Sequence, residues 1–178
     1  MTMEHIYTTR NRDEEKFLRA KTRLVTFGAR GGLCAGTVTL SQKEIDALIR
    51  RMRKIMREAN GVGLSANQIG LPLRLFVASV PSGQGETRFY AVFNPVLERT
   101  SGASVQLEEG CLSIPDTYGD VPRADIVVLR GLDKRGKPLK IKAWGLLARV
   151  FQHEVDHLEG KLFVDRTTGT RTMVRIGQ

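Results

Sequence analysis

Long apolar runs are missing from this 178-residue chain: none approaches the roughly twenty residues needed to cross a bilayer. No apolar core follows the first residues as a secretion signal would require, so we expect a cytoplasmic protein. Cysteine is scarce as well. Two cysteines make no disulfide framework, and a chain of this length with 41% hydrophobic residues folds without one. Acid is short of base, with 19 Asp and Glu against 28 Lys and Arg, for a formal net charge of +9. That surface favours polyanions such as a ribosome. Aromatic residues are only 6% of the chain and do not interleave with the basic clusters, which argues against base reading and specific DNA binding. With no repeat, low-complexity tract or linker, we expect one domain over residues 1–178 and a monomer.

Histidine is nearly as scarce, yet two of the three histidines stand in one stretch, His153-Glu-Val-Asp-His157. On a helix, residues four apart share a face, so both imidazoles can meet one metal ion while Glu154 reaches a water beside it. The chemistry indicated is metal-assisted hydrolysis. The same pattern also occurs as an ordinary solvated helix face, and His5 reads as a surface residue. Three protein ligands and one open position are what a catalytic site of this kind needs. One protease class places a third histidine six residues after the second, where this chain has Phe163. A far downstream glutamate serves another class, but after Glu159 only Asp165 remains acidic. The third ligand therefore belongs upstream. Cys34, in Gly31-Gly-Leu-Cys-Ala-Gly36, reads as a small buried hydrophobe. Cys111 sits in Glu109-Gly-Cys-Leu-Ser113 ahead of Ile114-Pro115, and a cysteine beside a paired-histidine motif suits a thiolate ligand.

A third segment, Gly61-Val-Gly-Leu-Ser-Ala-Asn-Gln-Ile-Gly70, is too poor in glycine for a dinucleotide fingerprint and lacks a phosphate-loop lysine. Alone it reads as a tight turn that brings the Gln68 amide donor near a ligand. Taken in order, Gly61 to Gln68, Glu109 to Ser113 and Gln152 to Gly160 resemble the three signature motifs of the peptide deformylases. The likeness runs from about Gly61 to Arg166. It implies that Cys111, His153 and His157 hold one divalent metal, Fe2+ first and Zn2+, Ni2+ or Co2+ as alternatives. Glu154 would be the acid and base, with the Gln68 side chain and the Leu112 backbone N–H holding the developing oxyanion. The substrates implied are N-formylmethionyl peptides, with formate released. Leu146, Val150, His153 and His157 make one helix stripe; Leu146 and Val150 with Val62 would floor a methionine pocket, and Gly63 would bind substrate backbone. Ser65 replaces an alanine common in the family, a one-hydroxyl change expected to be tolerated. Two readings compete: a zinc metallopeptidase, and a catalytically idle metal-binding module.

Ser41 followed by Glu44 is a capping-box signature, and Ile45, Leu48, Ile49, Met52, Ile55 and Met56 recur at helical spacing, which predicts a helix over 41–59. Strands are expected at 73–80, 89–93, 126–129 and 139–141, with turns at 81–83 and 134–136. A helix over 144–159 should end at Gly160. The fold class expected is α+β, with short, mostly antiparallel strands around a central metal-binding helix. Only Leu18-Arg19 survives of the family's usual N-terminal element, and 28–36 is a glycine-rich connection. Residues 167–170 read as a frayed tail in place of the family's C-terminal helix. Basic residues crowd Lys43, Arg50, Arg51, Arg53, Lys54 and Arg57, then Arg166, Arg171 and Arg175.

Overall fold

A computed structural model describes residues 5–28, 31–82, 85–167 and 169–172. Strand β5 (Leu75–Pro81) organises its interior, because side chains alternate across a strand and this one is covered on both faces. Leu75 and Val77 join one core cluster and Phe76, Ala78 and Val80 the other. On the first face lies α2 (Gln42–Glu58), which buries Ile45, Leu48, Ile49, Met52, Ile55 and Met56. Its predicted cap is present: the Glu44 N–H donates to Ser41 Oγ at 3.3 Å, and the Ser41 N–H donates to Glu44 Oε2 at 2.8 Å. On the second face lies α3 (Gly145–Leu158), where Ala148, Phe151, Val155 and Leu158 pack on the sheet. Gly160, at φ 73°, follows its end as expected.

The main sheet runs β4 (Gly63–Ser65), β5, β6 (Thr87–Cys111), β7 (Ile114–Leu132) and β8 (Pro138–Trp144), all antiparallel, with β9 (Thr170–Thr172) on the edge of β7. Ahead of it lie α1 (Arg12–Leu18) and a small antiparallel sheet of β1 (Thr26–Phe27), β2 (Leu33–Ala35) and β3 (Val38–Leu40). The α+β class is as expected.

Several local expectations are corrected. The pieces expected at 89–93 and 126–129 are parts of one long ribbon, β6 with β7. Four register shifts along it reset the in-out alternation, so apolar periodicity fades while the ladder continues. Cys34 is exposed rather than buried: on β2, Leu33 and Ala35 point inward and Cys34 between them points out. Of the residues expected to fray, 167–170, Thr170 instead opens β9. Residues 61–70 are a strand, β4, followed by one turn of 3-10 helix at Ala66–Ile69. The turn at Lys134–Gly136 is present, closed by Gly136 N–H to Asp133 O at 3.0 Å with Gly136 at φ 77°. Gly83, Thr168 and Arg175 lie outside the described residues.

Candidate active site

Three elements converge on one cleft. Helix α3 carries His153, Glu154 and His157; β6 ends at Cys111, where Leu112 and Ser113 turn the chain into β7; β4 and its 3-10 turn bring Gly63, Ser65 and Gln68. The cleft measures about 580 Å³. Val62, Gly63, Gln68, Cys111, Leu112, Leu146, Val150, His153 and Glu154 line it, so it gathers every metal, catalytic and substrate residue expected from the sequence except His157, which is buried behind. Val62 and Leu146 are 45% and 51% exposed, which puts them at the rim, while Val150 is buried deeper.

Cys111, His153 and His157 offer ligand atoms that all lie within 4.8 Å of one another. Cys111 Sγ is 3.1 Å from His157 Nε2, and the two imidazole rings stand 4.9 Å apart at 72°. Glu109 Oε2 lies 3.0 Å from His153 Nδ1, which orients the ring and leaves Nε2 for an ion. Burial opposes charge on both partners of this cluster. Even so, the two imidazoles hold the Cys111 thiol well below its ordinary range, and Cys111 with Glu109 pushes His153 up to about 10. A cysteine sulfur and two imidazoles whose donor atoms converge in this way are a donor set suited to a divalent cation.

Glu154 is buried, and burial pushes its carboxyl above the usual range. Its Oε2 accepts a hydrogen bond from Ser65 Oγ at 2.6 Å. Gln68 is held at both ends: its Oε1 accepts from the Ser65 N–H at 2.8 Å, and its Nε2 donates to Ser113 Oγ at 3.1 Å and lies 3.8 Å from Cys111 Sγ. Gly63 is required where it stands, because a Cβ there would overlap the Glu154 carboxylate.

Beside Cys111, His153 and His157 lies a charge network that sequence reading passed over. Glu109 accepts from Arg123 Nε and Nη2, both at 2.9 Å, and from Arg149 Nη1 at 2.7 Å. Asp156 accepts from Arg166 Nε at 2.5 Å and Nη2 at 2.6 Å, and also from Arg123 Nη1. Arg149 reaches further, to the carbonyls of Val105 at 2.7 Å and Val121 at 2.9 Å, and so ties α3 to the ribbon. The one available signal was position, since Glu109 and Asp156 are charged residues standing within or beside the motifs that carry Cys111, His153 and Glu154.

A thiolate and two imidazoles directed at one point, beside a buried carboxylate and an oriented amide in an open cleft, define a metal-dependent hydrolase. The chain belongs to the polypeptide deformylase family, whose pattern matches residues 33–173. The peptide deformylase of Pelotomaculum thermopropionicum is 45% identical over 132 residues, which cover 74% of this chain and 81% of that protein. That of Halothermothrix orenii is 43% identical over 144 residues, covering 81% and 87%. Among solved structures, the Synechococcus elongatus peptide deformylase in complex with actinonin superposes with a TM-score of 0.76 at 36% identity, over 92% of this chain and 80% of that one.

Proposed function

We propose that Cys111, His153 and His157 hold a divalent metal, Fe2+ in our assignment, and that Glu154, Gln68 and Leu112 carry the reaction of the family, removal of the N-formyl group from N-formylmethionyl peptides. The observation that carries the assignment is the convergence of those three ligand atoms within 4.8 Å in the cleft that Glu154 lines. When bound, the cation supplies the Lewis acidity that makes water nucleophilic at neutral pH and polarises the formyl carbonyl.

The chain's own groups do the rest. Val150 offers an apolar floor to the methionine side chain with Val62 and Leu146 at the rim, and the Gly63 backbone, part of the cleft wall, meets the peptide. Glu154 takes the proton from the attacking water. Burial raises that carboxyl above its usual range and so makes it a better proton acceptor. As charge collects on the formyl oxygen, the Gln68 amide and the Leu112 N–H donate to it. Pre-orientation of Gln68 by Ser65 and Ser113 spares the cost of arranging that donor during the reaction. Glu154 then protonates the departing nitrogen, the C–N bond breaks, and formate leaves beside a free amino terminus.

Replacing Glu154 by Ala should lower formate release from a formyl-Met peptide about 100-fold or more. Unchanged release would refute the assignment, and activity confined to internally cleaved, N-acetylated peptides would favour the metallopeptidase reading. We further assign ribosome contact to α2, where Lys43, Arg50, Arg53, Lys54 and Arg57 are exposed on its solvent face. Salt-dependent co-sedimentation with ribosomes, weakened by Arg50, Lys54 and Arg57 to Ser, is the check.

A further inference from the structure

The hydroxyl of Ser65 has a position that its sequence context did not suggest. Ser65 is fully buried at the end of β4, and its Oγ lies 2.6 Å from Glu154 Oε2 and 3.2 Å from the Glu154 carbonyl oxygen. One hydroxyl has one proton, and the shorter contact, to a carboxylate, is where it goes. The other carboxylate oxygen, Oε1, lies against Gly63, which forms part of the cleft wall.

We propose that the Ser65 hydroxyl is a positioning residue for the reaction: it pins Oε2 of Glu154, so that Oε1 alone handles the proton. The inference rests on Glu154 being the base. A carboxylate on a flexible side chain turns about its last torsion with little preference, and its two oxygens are then interchangeable. Held by Ser65, the group keeps one orientation. The hydrogen bond survives the whole cycle, because the proton from water arrives on Oε1 and leaves from Oε1 to the departing nitrogen. Oε2 remains an acceptor in both the charged and the neutral form. Ser65 thus serves two reacting groups, its hydroxyl aligning the base and its backbone N–H aligning Gln68 at 2.8 Å.

The experiment compares the parent, Ser65→Ala, Ser65→Thr and Glu154→Ala on one formyl-Met tripeptide at matched metal content. Alanine is smaller than serine and keeps the N–H bond to Gln68, so the fold is retained. Ser65→Ala should lower kcat about tenfold with KM within twofold, since misplacing a reacting group weakens the chemical step more than binding. Its metal content and unfolding midpoint should match the parent's. A crystal structure of Ser65→Ala should show the Glu154 carboxylate in more than one orientation, and Ser65→Thr, which keeps the hydroxyl, should keep most of kcat. Where Ser65→Thr does not fold, the kcat and KM split and the carboxylate orientation in Ser65→Ala decide. An unchanged kcat in Ser65→Ala alongside an inactive Glu154→Ala overturns this inference alone. A loss that tracks metal content or stability overturns it as well. Undiminished formate release by Glu154→Ala instead overturns the reading on which it rests.

Discussion

Glu109 offers the most demanding test of how the site is held. Its carboxylate is 5% exposed and sits where two guanidinium groups and the His153 ring meet, with contacts of 2.7 to 3.0 Å. Glu109→Gln keeps the shape but turns one oxygen into an N–H2 group. That amide faces Arg123 and His153, which both have only hydrogens to offer if His153 keeps its Nδ1 proton. Arg149 retains the Val105 and Val121 carbonyls, and Arg123 retains Asp156, so neither cation is stripped of partners. Breaking one partner of a buried pair costs about 3–5 kcal/mol, and these remaining bonds place the loss near the lower bound, about 3 kcal/mol. For a domain of this size that lowers the thermal midpoint by about 6–12 °C, leaving a folded protein. The second effect is local: without an oriented His153, metal affinity should fall about 10- to 100-fold. Thermal unfolding with and without chelator, combined with metal titration, reads both. A variant within about 1 kcal/mol of the parent and with unaltered metal affinity would refute the argument that Glu109 anchors both network and ligand, since that lies below the expected loss.

Other substitutions separate neighbouring roles. Gly63→Ala should cut kcat about 100-fold or more, because its Cβ would displace the Glu154 carboxylate by about an ångström; steady-state kinetics on a folded variant is the check. Cys34→Ser should leave formate release intact and shift stability by less than about 0.5 kcal/mol, as an exposed side chain does. Cys111→Ser should lose bound metal, measured by elemental analysis of anaerobically purified protein. Chelation should abolish activity and lower the unfolding midpoint, with both restored by Fe2+ in the absence of oxygen.

Some of this protein was legible in the chain because the relevant interactions are local. The helix caps of α2 act over three residues, its apolar stripe repeats every three to four, and the His153–His157 spacing is itself the geometry of one helix face. The ordered motifs carried the family in the same way. Long-range pairing is another matter. Ser65 and Glu154 stand 89 residues apart, and nothing in either segment says that one hydroxyl will meet one carboxylate oxygen. Cys111 becomes a neighbour of His157 because the β6–β7 ribbon ends in a two-residue turn beside α3, after four register shifts that blur the alternation a reader would use. Cys34 faces outward because β2 pairs in a register that points its neighbours into the core. Residue chemistry, local spacing and the resemblance of three ordered motifs to one family therefore indicated the candidate metal ligands and the candidate base. Strand register and helix docking, which depend on packing across the whole chain, decided how Glu109, Arg123, Arg149 and Ser65 hold those groups in place.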